Sequence, residues 1–399
     1  THPNFALGKE ELLRRFLHRA AAHVASRGRT AMSWAQAPTD DGGWPHEVVY
    51  VDDSAVRTLD AAQRQGYRVF AYAPNPGIEP LCLGYFPWVQ SSMWRDDVRR
   101  VQGGSFADTS AAIAAAAAAG MRLGSITTSW DDSGLHTQAW VPRFVCAADY
   151  SWSPREPDPD GWAERFFAQY FGPEARDLRE LFVLLQEGAL FYYDTFQRRV
   201  WHWGDIGKIH LPDLPRQDLE YHDFWRRRYA QLLHLAASER HLLCRALAIL
   251  DTNLRRRVSQ RYDLEIHRTC ARLMLHNTEL VLTLGDLEAD LQAAHEQHYA
   301  DRRQALRHLR GACTRIADHL ADRARVLTEL VSVWERTRLP KGCGDGARQY
   351  VFAQDRARHF ANRTPDMRYL VLDEELLDLE GYLRGLDAFC GEYERNLDR

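Results

Sequence analysis

Four short strand patterns alternate with helical patterns over the first 150 residues, and this alternation limits the fold more than any other feature of the chain. The strand patterns are the runs TAMSWA, EVVYVD, RVFAYAP and LGSITTSW, at residues 30–35, 47–52, 68–74 and 123–130. Strands that alternate with helices pair in parallel, because each helix returns the chain to the same end of the sheet. The sequence therefore predicts four parallel β/α units.

Polar and aromatic side chains fall where each predicted strand ends. They are Trp34, Asp52, Tyr72 with Asn75, and Trp130 with Asp131 and Asp132. In β/α barrels the active site is built at the carboxyl ends of the strands. Four units make half of an eightfold barrel of the TIM type, so we expect residues 1–152 to form a half barrel with these side chains at its mouth.

The composition changes after the run SPREPDPDG at residues 153–161. Its three prolines leave little chance of helix or central strand, so this run is predicted to be a linker. Long amphipathic patterns follow, at roughly 218–257, 264–284 and 287–338, and helices of this length pack as antiparallel bundles. We therefore predict an all-α helical bundle domain over residues 162–399, which makes the chain α/β followed by all-α.

Charge and cysteine usage narrow the classes of function. A net charge of −4 gives no global support for binding nucleic acid, and the sequence holds no run of about 18 apolar residues for a membrane span. The seven cysteines are scattered and form no C-x-x-C pair, which argues against a disulfide framework and a zinc site. His295 and His298 stand three apart on a helical pattern without a third ligand nearby. We expect a cytoplasmic protein with no metal and no cofactor.

Residues 8–152 resemble the second half of the catalytic barrel of family 20 glycoside hydrolases, the β-N-acetylhexosaminidases. Trp34 takes the aromatic place of the family's G-W-D-E strand end, although Ala35 and Gln36 replace its acids. The run AAQRQGYRVFAYAP is similar to the family's next helix and strand. Trp130 and Asp132 match the W-x-E of the last barrel strand, with Asp for Glu. The helical remainder looks like an extension found in some bacterial members.

The resemblance implies a retaining exo-glycosidase in which the substrate's acetamide attacks the anomeric carbon. The family's catalytic pair is an Asp-Glu dyad after H-x-G-G, and this sequence contains no such motif. We therefore expect this chain to contribute no catalytic residue. It would supply the sugar-binding wall for a substrate carrying N-acetylhexosamine, and its partner would be the missing N-terminal barrel half or a second copy of the chain.

Several alternatives stay open on the sequence alone. Asp131 and Asp132 form a wall of the sugar site, a catalytic pair in their own right, or the N-cap of the following helix. Trp34 and Trp130 stack on a sugar face or belong to the core. Tyr72 and Asn75 bind the acetamide or a hydroxyl in the sugar reading. The rival to an enzyme is a non-catalytic carbohydrate-binding or interaction module with a degenerate half barrel.

Overall fold

The computed structural model describes residues 8–34, 38–39, 42–52, 56–72, 106–127, 138, 141–196, 209–216, 219, 224–337 and 377–397. The described residues form two compact units, called here the sheet unit and the helical unit. They divide between Phe166 and Phe167, except that Gln138 belongs to the helical unit. In the predicted linker, residues 153–158 are irregular and a helix begins at Pro159. Proline suits this first helical position, because the first turn of a helix needs no backbone N–H from it.

The sheet unit alternates strands and helices, as the sequence predicts. Its elements are α1 (Lys9–Ala25), β1 (Met32–Ser33), β2 (Val49–Asp52), α2 (Val56–Arg64), β3 (Arg68–Tyr72), α3 (Phe106–Ala118), β4 (Ser125–Ile126), α4 (Val141–Trp152) and α5 (Pro159–Tyr170), within which the division falls. The strands pair in parallel in the order β1-β2-β3-β4. The prediction of four consecutive parallel strands is confirmed.

A small apolar core holds this sheet against its helices. Tyr50 and Val69, on the two central strands, are buried together with Leu17 of α1 and Leu59 of α2. The Tyr50 hydroxyl donates a hydrogen bond to the Pro45 carbonyl oxygen at 3.1 Å, so its burial leaves no polar atom without a partner.

The helical unit contains the long helices that the sequence predicts beyond the linker. They are α6 (Leu178–Phe196), α7 (Phe224–Arg228), α8 (Ala230–Leu254), α9 (Arg261–His298), α10 (Arg302–Trp334) and α11 (Leu379–Arg395). Helices α9 and α10 run antiparallel, because the Tyr262 hydroxyl near the start of α9 donates to the Val333 carbonyl near the end of α10 at 2.8 Å. Among the described helices none is both long and apolar enough to cross a membrane.

The helix boundaries differ from the sequence prediction at two places. The predicted helix 218–257 is divided at Tyr229 into α7 and α8, and the predicted break inside α9 is absent. The pattern suggested a break between residues 284 and 287, but α9 continues through Gly285 to His298. A Cβ atom at position 285 would lie 2.6 Å from the Leu233 Cδ2 atom of α8. Glycine is therefore present because α8 and α9 approach closely, and the chain turns instead before Asp301, which caps α10.

Candidate functional site

The carboxyl edge of the parallel sheet is the first candidate site. Pairing aligns Asp52 of β2 with Ala71 of β3, and Ala71 with Ser125 of β4, so these three backbones form one row across the sheet. The next row pairs Tyr72 with Ile126. Strands β2, β3 and β4 thus end within one residue of one another, whereas β1 ends two residues before the end of β2.

Trp34 lies at this same edge, because it directly follows Ser33, the last residue of β1, which pairs with Tyr50. Its side chain is 59 % exposed. The structure thus brings Trp34 and the backbones of Asp52 and Tyr72 to one end of the sheet. The other predicted site residues, Asn75, Trp130, Asp131 and Asp132, lie outside the described residues.

Packed aromatic rings support the central strands below the edge. Tyr50 meets Tyr67 edge to face at 5.7 Å between ring centroids, and Tyr67 stacks on His46 at 4.3 Å. Burial, as the largest cause, raises the pKa of the Tyr50 phenol above its ordinary value. Tyr50 therefore stays neutral and acts as a structural support of the edge.

A cleft on the surface of α9 and α10 is the second candidate site. It has a volume of about 390 Å³, and its centre is formed by His276 and His319, whose rings stack at 4.1 Å. His276 Nδ1 lies 3.0 Å from Asp322 Oδ2. The hydrogen bond from His276 is the main cause that holds the pKa of the Asp322 carboxyl below its usual range.

Several charged side chains that line this cleft already have partners on the protein. Arg272 contacts Glu329 at 3.4 Å, and Arg315 contacts Asp290 at 2.5 Å. These ion pairs and the stacked imidazole rings are contacts that hold α9 and α10 together, so the presence of these side chains is explained without a ligand. Within the described residues, no group of three or more His, Cys, Asp or Glu side chains is arranged to hold a metal ion.

Sequence reasoning examined a different pair of histidines. His295 Nδ1 lies 2.5 Å from the Leu219 carbonyl oxygen, whereas His298 Nδ1 lies 2.9 Å from the Tyr393 hydroxyl, so the two rings bond different segments. The stacked pair of His276 and His319 was missed. Both helices carry other histidines, and only the position of the turn between α9 and α10 brings these two face to face.

The sheet edge is the stronger of the two candidates, because it combines an exposed indole with the carboxyl ends of four parallel strands. Compared with models of protein families, with curated proteins and with solved structures, the chain gave no match. The function is therefore argued from the geometry of Trp34 and the sheet.

Proposed function

We propose that the sheet unit is part of a β/α barrel, and that its carboxyl edge is the sugar-binding wall of a β-N-acetylhexosaminidase-like glycoside hydrolase. One observation carries this proposal: four parallel strands follow one another in chain order. Open doubly wound sheets reverse their strand order at a switch point, where they bind ligands. A barrel has no reversal and binds at the carboxyl ends of consecutive strands, which is where Trp34 lies.

Trp34 is the residue of the wall on which a sugar ring would stack. Its indole is exposed at the strand end instead of filling the core, which favours the stacking alternative for this residue. Tyr72, Asn75, Trp130, Asp131 and Asp132 complete the wall in this proposal. Their roles stay predictions that rest on the resemblance and on the positions of the strand ends.

The proposed reaction needs two carboxylates with different tasks, one that stays protonated and one that stays charged. This chain has no H-x-G-G motif followed by an Asp-Glu pair, so in the proposal the N-terminal barrel half supplies the catalytic dyad. The helical unit is then the bundle-like extension of such an enzyme. The scattered cysteines favour the cytoplasm as its location.

The alternative is a non-catalytic module that binds a carbohydrate or another protein. It is favoured by the apolar side chains of Leu12, Leu13 and Phe16 on α1 and Met32 on β1, which are exposed. In the enzyme proposal the missing barrel half covers this surface, whereas in the alternative a different protein does so. The two proposals share the sugar-binding edge and differ in catalysis.

A sugar-binding experiment tests the sugar-binding edge, which both proposals share. We expect an N-acetylglucosamine disaccharide to change the tryptophan fluorescence of the chain and Trp34→Ala to weaken binding about tenfold or more, which corresponds to about 1.4 kcal/mol. The matched control is Trp152→Ala, because Trp152 is likewise exposed, at 91 %, and is the last residue of helix α4 instead of following a strand. Equal affinities of the two variants would remove Trp34 from the site.

Hydrolysis of an aryl N-acetylglucosaminide distinguishes two hypotheses. In one the chain needs the catalytic dyad of a separate barrel half, and in the other the chain is catalytic by itself. Without the dyad, the purified chain should show no turnover above background, because general acid and base groups contribute several orders of magnitude to such rates. Turnover that Asp131→Asn or Asp132→Asn abolishes would instead make these acids the catalytic pair. Activity that appears only after addition of an N-terminal barrel half would support the enzyme over the binding module.

A further inference from the structure

We propose that Cys313 and Cys390 form a redox modification site, at which a hydroperoxide converts two thiols into a disulfide between α10 and α11. The two sulfur atoms lie 3.7 Å apart although the residues are 77 positions apart in the chain. Both thiols are free. Cys390 is fully buried, whereas Cys313 keeps 9 % of its surface exposed, so a small oxidant reaches Cys313 first.

Ion pairs fix the register that brings the sulfurs together. Arg310 lies one helical turn before Cys313 and contacts Asp387 at 2.6 Å and Glu394 at 3.0 Å. These two acids flank Cys390 on α11, three residues before it and four after it, so all three share one helix face. Sliding α11 by one turn would break both ion pairs, and the thiols therefore stay opposed in the folded chain.

The surroundings of the pair favour Cys313 as the thiol that reacts first. The hydrogen bond between the two thiols is the main cause that lowers the pKa of Cys313. Burial and the Asp387 carboxylate oppose this effect, and the Arg310 guanidinium supports it. The same interaction and burial raise the pKa of Cys390. Because the thiolate is the nucleophile, Cys313 attacks the oxidant and Cys390 resolves the product.

Another buried cysteine, Cys146 of α4, shows how a thiol with no partner sulfur among the described cysteines differs from this pair. Its Sγ lies 4.0 Å from the Phe106 carbonyl oxygen, and burial raises its pKa to about 12. A thiol in that setting serves as a small apolar side chain. The site at Cys313 differs from it by the second sulfur at 3.7 Å.

The chemistry balances with one hydroperoxide for each pair of thiols. The Cys313 thiolate attacks the outer peroxide oxygen, so that an S–O bond forms, the O–O bond breaks, and the leaving oxygen takes a proton to become water or an alcohol. The Cys390 sulfur then loses its proton and attacks the resulting sulfenic acid. An S–S bond forms, the S–O bond breaks, and hydroxide leaves as water after protonation.

Peptide mapping after exposure to hydrogen peroxide tests the proposal. Trypsin separates the two residues into the peptides 311–315 and 385–395, each of which contains one cysteine. We expect these two peptides to be joined in the oxidised folded chain and released by dithiothreitol. The same oxidation in urea is the control, because the seven cysteines of the unfolded chain should pair without this preference.

Single variants then assign the roles of the two thiols. Cys390→Ser should leave a sulfenic acid on Cys313 that a 1,3-dicarbonyl reagent traps, whereas Cys313→Ser should give neither the trap product nor the link. Arg310→Gln should slow formation of the disulfide several-fold, and the matched control Cys146→Ser should leave it unchanged. Peptides that stay reduced in the folded chain, or Cys313 joined to another cysteine, would overturn the proposal.

Discussion

Along α9 the helical unit buries one leucine after another, whereas α1 of the sheet unit leaves much of its apolar surface exposed. The buried leucines of α9 include Leu280, Leu284, Leu287 and Leu291. On α1 the side chains of Leu12, Leu13 and Phe16 are exposed, and its fully buried face consists of Leu17 and Ala21. The helical unit exposes apolar side chains as well, such as Phe224 at 65 %, but its long helix α9 is covered, whereas α1 of the sheet unit lacks such a cover among the described residues. A covering partner for α1 is therefore the one to seek.

The largest expected effect comes from a hole in the core of the helical unit. Leu284→Ala should lower the free energy of unfolding by about 4 kcal/mol, because the lost contacts are not replaced in a tightly packed core. The matched control is Leu242→Ala on α8, a position that is partly exposed, where we expect a change of about 0.5 kcal/mol or less. Urea unfolding followed by circular dichroism measures both. Similar losses at the two positions would mean that this core is loosely packed.

The next effect concerns Glu239, a buried acid between α8 and α6. Its side chain is 7 % exposed, and a Cβ added at Gly188 would lie 3.4 Å from its Oε1 atom. Burial, followed by the nearby charge of Glu187, raises its pKa to about 8. Because the native state keeps a proton that the unfolded state has lost, stability should fall as the pH rises from about 5 to 8 and level off above.

Glu239→Gln should remove this pH dependence, because the amide stays neutral. At pH 9 the variant should exceed the parent chain in stability by about 3 kcal/mol, and the two should be similar at pH 5. Glu174→Gln, at an exposed position, is the matched control and should not alter the slope. Urea titrations at several pH values measure this effect. Parallel curves for the parent and Glu239→Gln would show that water or a nearby group keeps Glu239 charged.

A smaller effect is expected at the turn between α9 and α10. Asp301 Oδ1 accepts hydrogen bonds from the backbone N–H groups of Arg303 and Gln304, both at 3.0 Å. Asp301→Ala should therefore cost about 1 kcal/mol. Asp318→Ala, at an exposed position within α10, should cost less, because alanine favours a helix interior. A larger loss at Asp318 would mean that the cleft beside His319 stabilises the helix pair more than the cap does.

The two units also differ in what their sequence reveals. The four strands follow from short apolar runs between helical patterns, and each of them appears in the sheet at or within its predicted span. The predicted break between residues 284 and 287 was wrong, because α9 continues through Gly285, a glycine that admits Leu233 of a neighbouring helix. A local pattern does not show such a contact. The location of Trp34 at the carboxyl edge could be predicted, because it depends only on where the residue stands in its strand pattern. The His276–His319 stack depends on helix register, which no local pattern encodes.

The smallest expected change in stability belongs to the exposed face of α1, and it tests the contrast between the units most directly. Phe16 is 64 % exposed, whereas its neighbour Leu17 is buried. Phe16→Ser should change the free energy of unfolding by about 0.5 kcal/mol or less, and Leu17→Ser should cost about 3 kcal/mol, because a core side chain is lost and a hydroxyl is buried.

The substitution Phe16→Ser, which should hardly change stability, should have a clear effect on self-association. Exposed apolar surface next to the edge strand β1 promotes contacts between chains, so we expect the parent chain to sediment at micromolar concentration above the mass of a 46.0 kDa monomer. Phe16→Ser should shift it toward the monomer. A parent chain that is already monomeric, with no bound partner, would mean that α1 and β1 need no covering segment. The four strands would then form a complete small sheet, and the proposed half barrel would be wrong.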